Sequence, residues 1–224
     1  MKTKKPKWRH FNHLTKEEFE NPLLPLLELC CSATSLEYHR SDIHHFARAS
    51  CCHNTGFSPV DFSEMYFLYK QLSNHIELLY LLMHRYSEWQ ISLTSPLYQC
   101  EVQGLSKIIH DDDMFGGTTM HFEALSKAEF MDLSVFMNNF FKFKSLRSWR
   151  ETMQELIEAI FSDESFSQYQ HDAQQVFQYL DKLGEAAFLA YELHGKAYML
   201  EHHADRFGIK RKKLVDIEPT TTIQ

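Results

Sequence analysis

Histidine and cysteine gather between residues 30 and 53: Cys30, Cys31, His39, His44, His45, Cys51, Cys52 and His53. Thiolate and imidazole are the ligands zinc takes, usually four in a tetrahedron. There is no Cys-x-x-Cys, and adjacent cysteines point in different directions on a helix. His44 with Cys51, and His45 with Cys52, stand two helical turns apart and share a face. These four residues are the candidate metal ligands, and they make at most a two-ligand site. The competing reading, that buried cysteine is a small apolar core residue, is preferred, and no cofactor is expected.

A second constellation overlaps the first. Arg40-Ser-Asp-Ile-His-His45 matches the Arg-x4–6-His pattern of HEPN-type helical ribonucleases. In that family a helical dimer brings Arg and His together to cleave RNA without a metal. The match covers six residues, and Arg48-x4-His53 fits the pattern too. Arg40 and His45 are therefore the candidate catalytic pair, but no family is assigned and an enzymatic role is left open. Ferritin-like iron bundles carry Glu-x-x-His on two helices, and no Glu-x-x-His occurs here. Glu185, Glu192, His194, Glu201, His202, His203 and Asp205 read instead as a solvent-facing helix end. Asp111-Asp-Asp-Met-Phe-Gly-Gly117 fails as a calcium loop, because Phe122 falls where the bidentate Glu belongs, and it reads as an acidic surface loop.

The elements that would position these groups are helices. A start signature occurs three times: Leu14-Thr15-x-x-Glu18-Phe19, Phe57-Ser58-x-x-Asp61-Phe62 and Leu125-Ser126-x-x-Glu129-Phe130. The hydroxyl accepts an orphan N–H, the acid reaches back to the cap, and the apolar pair closes a staple. The residues after each start differ, so the three read as separate helix starts and not as an internal repeat. Helices are expected from Asn21-Pro22 to about Ala33, from Ser35 to about Cys52, and from Ser58 to Ile91. The last of these has Pro59 at its first position. Ser126 opens another helix with a break near Lys144-Ser145, resuming to Phe161. A final long helix runs from Ser165 to Phe207, with Gly184 and Gly195 as bends or close-packing points. Leu78–Met83, apolar on every side, belongs at the centre. The segment near 93–124 reads as irregular, with a short helix near 98–110.

Scarcity of turn formers supports this outline. The chain has 224 residues with only 7 Gly and 6 Pro, yet 44% are hydrophobic and 14% aromatic. It is expected to fold as one all-α domain, 1–224, a bundle of long antiparallel helices. A basic N-terminus (1–10) and a C-terminal tail (209–224) are expected to be flexible. The longest apolar runs, Leu78–Met83 and Ala186–Tyr191, fall far short of the ~20 residues a membrane span needs. With five cysteines and no secretory leader, a cytoplasmic setting with reduced thiols is expected.

Net charge is −7, although residues 1–10 and 206–213 are basic and carry no acid. The acidic body argues against a broad nucleic-acid face, so nucleic acid would be touched only through the two basic ends. Many Phe, Tyr and Met on helices suit protein surfaces that meet other proteins. The preferred reading is a non-enzymatic interaction protein of accessory, adaptor or immunity type, whose partner is another protein, a second copy of the chain included. The alternatives are the HEPN-like ribonuclease and a metal-binding bundle.

Overall fold

A computed structural model describes residues 6–31, 36–51, 59–91, 102–103, 106–111, 118–162, 165–166 and 172–202. The fold is an all-α bundle. Its helices are α1 (Lys16–Glu20), α2 (Leu24–Cys31), α3 (Leu36–Cys51), α4 (Pro59–Arg85), α5 (Lys127–Met131), α6 (Leu133–Phe143), α7 (Leu146–Phe161), α8 (Ala173–Ala190) and α9 (Lys196–His202). Among the described residues no helix is long and apolar enough to cross a membrane.

Local chemistry sets several of the starts. Thr15 Oγ1 accepts from the Glu18 amide at 3.1 Å, and Glu18 returns a carboxylate to the Thr15 amide at 2.6 Å. Ser126 and Glu129 make the same reciprocal pair at 3.3 and 2.9 Å. Asp132 caps α6 and Ser145 caps α7, the latter at the expected break. α4 opens at Pro59, and its predicted cap Ser58 lies outside the described residues. In its middle Leu78, Leu79, Leu81 and Leu82 are buried, while Met83 is only half-buried.

Four boundaries differ from expectation. α4 stops at Arg85, because Trp89 and Ile91 are buried around an exposed Gln90, the alternation of an extended segment. That segment pairs with the stretch after α5: the Leu133 amide donates to the Trp89 carbonyl and the Ile91 amide to the Met131 carbonyl. The helix opened by Ser126 breaks at Asp132, whose side chain restarts it as α6. Ser165 is buried and donates to the Cys51 carbonyl at 2.8 Å. Phe166 is helical directly after it, as expected, but the chain turns at Asp172 and the last helix runs from Ala173. It also passes through one π-helical turn, Tyr191–Gly195, before α9.

The irregular segment holds a small antiparallel sheet where a short helix was expected. Its strands are β1 (Val102–Gln103), β2 (Ser106–Asp111) and β3 (Thr118–Phe122), in the order β1-β2-β3. In the register of β2 with β3, Ile109 pairs with Met120 and Lys107 with Phe122. Ile108, Ile109, Thr118 and Thr119 are β-branched and suit a pleated ladder. The acidic loop at 112–117 lies outside the described residues, as do the C-terminal tail and the first five residues.

The expectation of no internal repeat is overturned. Residues 10–19, His-Phe-Asn-His-Leu-Thr-Lys-Glu-Glu-Phe, recur at 121–130 as His-Phe-Glu-Ala-Leu-Ser-Lys-Ala-Glu-Phe. Phe11 packs on Phe19 with ring centroids 5.6 Å apart, and Phe122 on Phe130 at 5.4 Å. Further on, Ser35-Leu36 and Arg40 match Ser145-Leu146 and Arg150, so α3 is the counterpart of α7. Ile76-Glu77-Leu78 matches Gly184-Glu185-Ala186, so α4 is the counterpart of α8. The two halves pack reciprocally: α3 lies on α8, and α7 lies on α4. One contiguous core runs through both.

Candidate functional site

Two buried carboxylates, Glu77 and Glu185, each join one half to the other. Glu77, on α4, is 0% exposed. It accepts the amides of Asn12 (2.9 Å) and His13 (2.8 Å) and the Arg150 guanidinium of α7 (2.6 Å). Glu185, on α8, is also 0% exposed. It accepts the amides of Glu123 (2.7 Å), Ala124 (2.8 Å) and Leu125 (2.8 Å), and Arg40 of α3 at 2.7 Å. Each arginine also donates to the carbonyl just before the recurring Phe: Arg150 to His10 at 2.7 Å, Arg40 to His121 at 3.0 Å. A buried charge survives only when it is paired and hydrogen-bonded, and both carboxylates meet that condition in the same way. The capping acids follow suit, with Asn74 donating to Glu18 and its counterpart Lys182 to Glu129. Burial pushes the Glu129 carboxyl up, but the bonds from Lys182 and Ser126 outweigh it and leave the group below the usual range.

The repetition makes each half a control for the other: features common to both halves serve the fold, and a feature that only one half carries is not required by it. Two departures stand out. On the α4–α7 face, Tyr66, Phe67 and Phe161 are exposed, Phe67 to 64%. Their counterparts on the α8–α3 face are Gln174, Gln175 and Cys51. Phe161 lies against exposed Phe62 at 5.3 Å between ring centroids, Tyr66 stacks near Tyr69 at 5.9 Å, and Lys70 Nζ sits 4.7 Å over the Tyr66 ring. Phe62 and Tyr66 are four residues apart on α4 and so share a face of it. In the core, His39 and His75 stand where the other half has Trp149 and Leu183.

The sequence-derived candidates are scattered through this framework. Arg40 is the clamp on Glu185. His45 is exposed one and a half turns further along α3, beyond His44. His44 is exposed and lies 3.1 Å from Asp181 of α8. Cys51 is half-buried, and Cys52 lies outside the described residues. Among the described residues no three His, Cys, Asp or Glu side chains converge as a metal site would need. Glu185, expected to face solvent, is fully buried, because its three backbone donors and Arg40 replace the water it would otherwise keep.

Sequence reasoning missed Glu77, Glu185 and Arg150. The signal was a lone acid inside an apolar run, Ile76-Glu77-Leu78-Leu79 and Gly184-Glu185-Ala186-Ala187, together with the recurring His-Phe-x-x-Leu stretch. Comparison with protein-family models, curated proteins and solved structures found no match.

Proposed function

We propose that this protein works without chemistry of its own, by binding another protein through the aromatic face of α4 and α7. The observation behind this reading is the contrast between halves. Two helices repeat a backbone surface, yet one copy presents Tyr66, Phe67 and Phe161 to solvent while the other presents glutamines. Glutamine at the positions matching Tyr66 and Phe67 is compatible with the same helix, so the fold does not require exposed aromatics there. Aromatic side chains supply large contact area at low entropic cost and are enriched where proteins meet, and a contiguous exposed apolar patch marks such sites. A second copy of the chain is one partner that fits, and the proposed setting is the cytoplasm. The basic ends remain the proposed place for any nucleic-acid contact.

The test exchanges the faces. Tyr66→Gln/Phe67→Gln should abolish self-association in sedimentation equilibrium, or the retention of a partner protein in affinity capture, without altering circular dichroism. Gln174→Ala/Gln175→Ala should leave binding intact. Equal binding by both variants would remove the aromatic face from the function.

A further inference from the structure

The bundle does not need imidazoles at its centre. In the C-terminal half the matching positions hold Trp149 and Leu183, both buried. Trp149 stacks on Phe140 with centroids 4.3 Å apart and donates its indole N–H to the Phe140 carbonyl at 3.1 Å. In the N-terminal half the rings of His39 and His75 meet edge-on at 5.4 Å. Both ring nitrogens of His39 and Nδ1 of His75 have no hydrogen-bond partner among the described residues. A buried polar group left unpaired is destabilising, so the fold carries these two side chains at a loss.

Neither ring forms an ion pair among the described residues. On α3, Arg40 is committed to Glu185 and His44 to Asp181. α8 presents Gly184, Phe188, Asp181 and Glu185; Arg40 engages Glu185, while Asp181 meets His44 through Oδ2 and keeps Oδ1 without a hydrogen bond among the described residues. On α4, Glu77 is committed to Arg150 and the Asn12 and His13 amides. α7, which also packs on α3, buries Trp149, Thr152, Met153, Leu156, Ile157 and Ile160, none of them titratable. A proton on either histidine would be an uncompensated charge beside the seam that joins the halves.

We propose that the packing of α3 against α8 and α4 is an acid-labile latch, released by protonation of His39 on α3 and His75 on α4, while the seam between α7 and α4 stays closed. Burial holds His39 down at about 4 and His75 at about 3, the latter lowered further by His39. Opening lets both titrate near 6.5, so below that pH each released histidine raises the open population about tenfold per pH unit. Asp181 works in the opposite sense, because burial pushes its carboxyl up despite His44, but its titration starts from the carboxylate range, lower in pH.

Hydrogen exchange read by mass spectrometry on the full chain, corrected for intrinsic rates, tests this between pH 7 and pH 5.5. Protection of Leu36–Cys51 and Ala173–Ala190 should fall on the order of tenfold or more and lie below that of Leu146–Phe161, whose protection falls only with global stability. His39→Phe and His75→Leu should each blunt that fall. Protection of α3 and α8 no lower than that of α7 at pH 5.5, or an unchanged fall in variants that keep the circular dichroism of the parent at pH 7, would overturn the proposal. Should a variant not fold, the contrast between α3 and α7 in the unaltered chain still decides.

Discussion

Arg40 Nη2 lies 2.7 Å from a carboxylate oxygen of Glu185, across the boundary between two halves of the chain that repeat each other. Arg150 makes the reciprocal contact with Glu77. Each carboxylate also gathers the backbone amides just ahead of a capped helix, so one side chain ties together a turn, a long helix and the opposite half. Glu185→Ala should therefore strand three amides and Arg40 at once and cost about 3 kcal/mol or more. Arg40→Ala, which leaves the amides paired, should cost about 1–3 kcal/mol. Urea denaturation measures both, and equal small losses would mean the clamp is only decorative.

The same geometry predicts where the N-terminus begins to matter. Trp8–His10 form a short 3-10 turn, and the His10 carbonyl and the Asn12 and His13 amides serve Arg150 and Glu77. Removing residues 1–7 should leave the melting temperature almost unchanged. Removing residues 1–13 should lower it sharply, since Glu77 then keeps one partner and its buried charge. Similar melting curves for the two truncations would contradict this role.

Gly184 is a packing requirement. A Cβ placed there would meet His39 Cδ2 at 2.8 Å and Ile43 Cδ1 at 3.1 Å. Gly184→Ala should destabilise by about 1–3 kcal/mol despite the helix preference for Ala. Adding His39→Ala should recover part of the loss, a coupling that a double-mutant cycle reads directly. Strict additivity would show that the two residues do not compete for space.

Global stability should fall on acidification from pH 7. Unfolded histidine takes a proton near 6.5, whereas folded His39 and His75 resist until about 4 and about 3. The unfolded state then binds more protons, so stability is present above 6.5 and declines below it. The slope approaches about 1.4 kcal/mol per pH unit for each histidine. Chemical denaturation at several pH values should give that slope for the parent and a shallower one for His75→Leu.

Much of the fold is legible locally. The caps at Thr15, Ser126 and Ser145, Pro59 at the head of α4 and the apolar Leu78–Leu82 stretch act through neighbours within a turn or two of chain, and that chemistry is written in adjacent residues. The π turn, the strands at 102–122 and the late start of α8 depend on packing that local propensity does not contain. The candidate site was legible least of all. Glu77 and Arg150 are 73 residues apart, and Arg40 and Glu185 are 145 apart. Nothing in the spacing of His44, His45, Cys51 and Cys52 announces which polar groups will converge. By itself the sequence determined a helical chain whose starts are capped and whose apolar stripes need partners. Tertiary structure decided that the partners are the chain's own second half, because only folding brings a buried carboxylate to distant amides and to an arginine that can neutralise it.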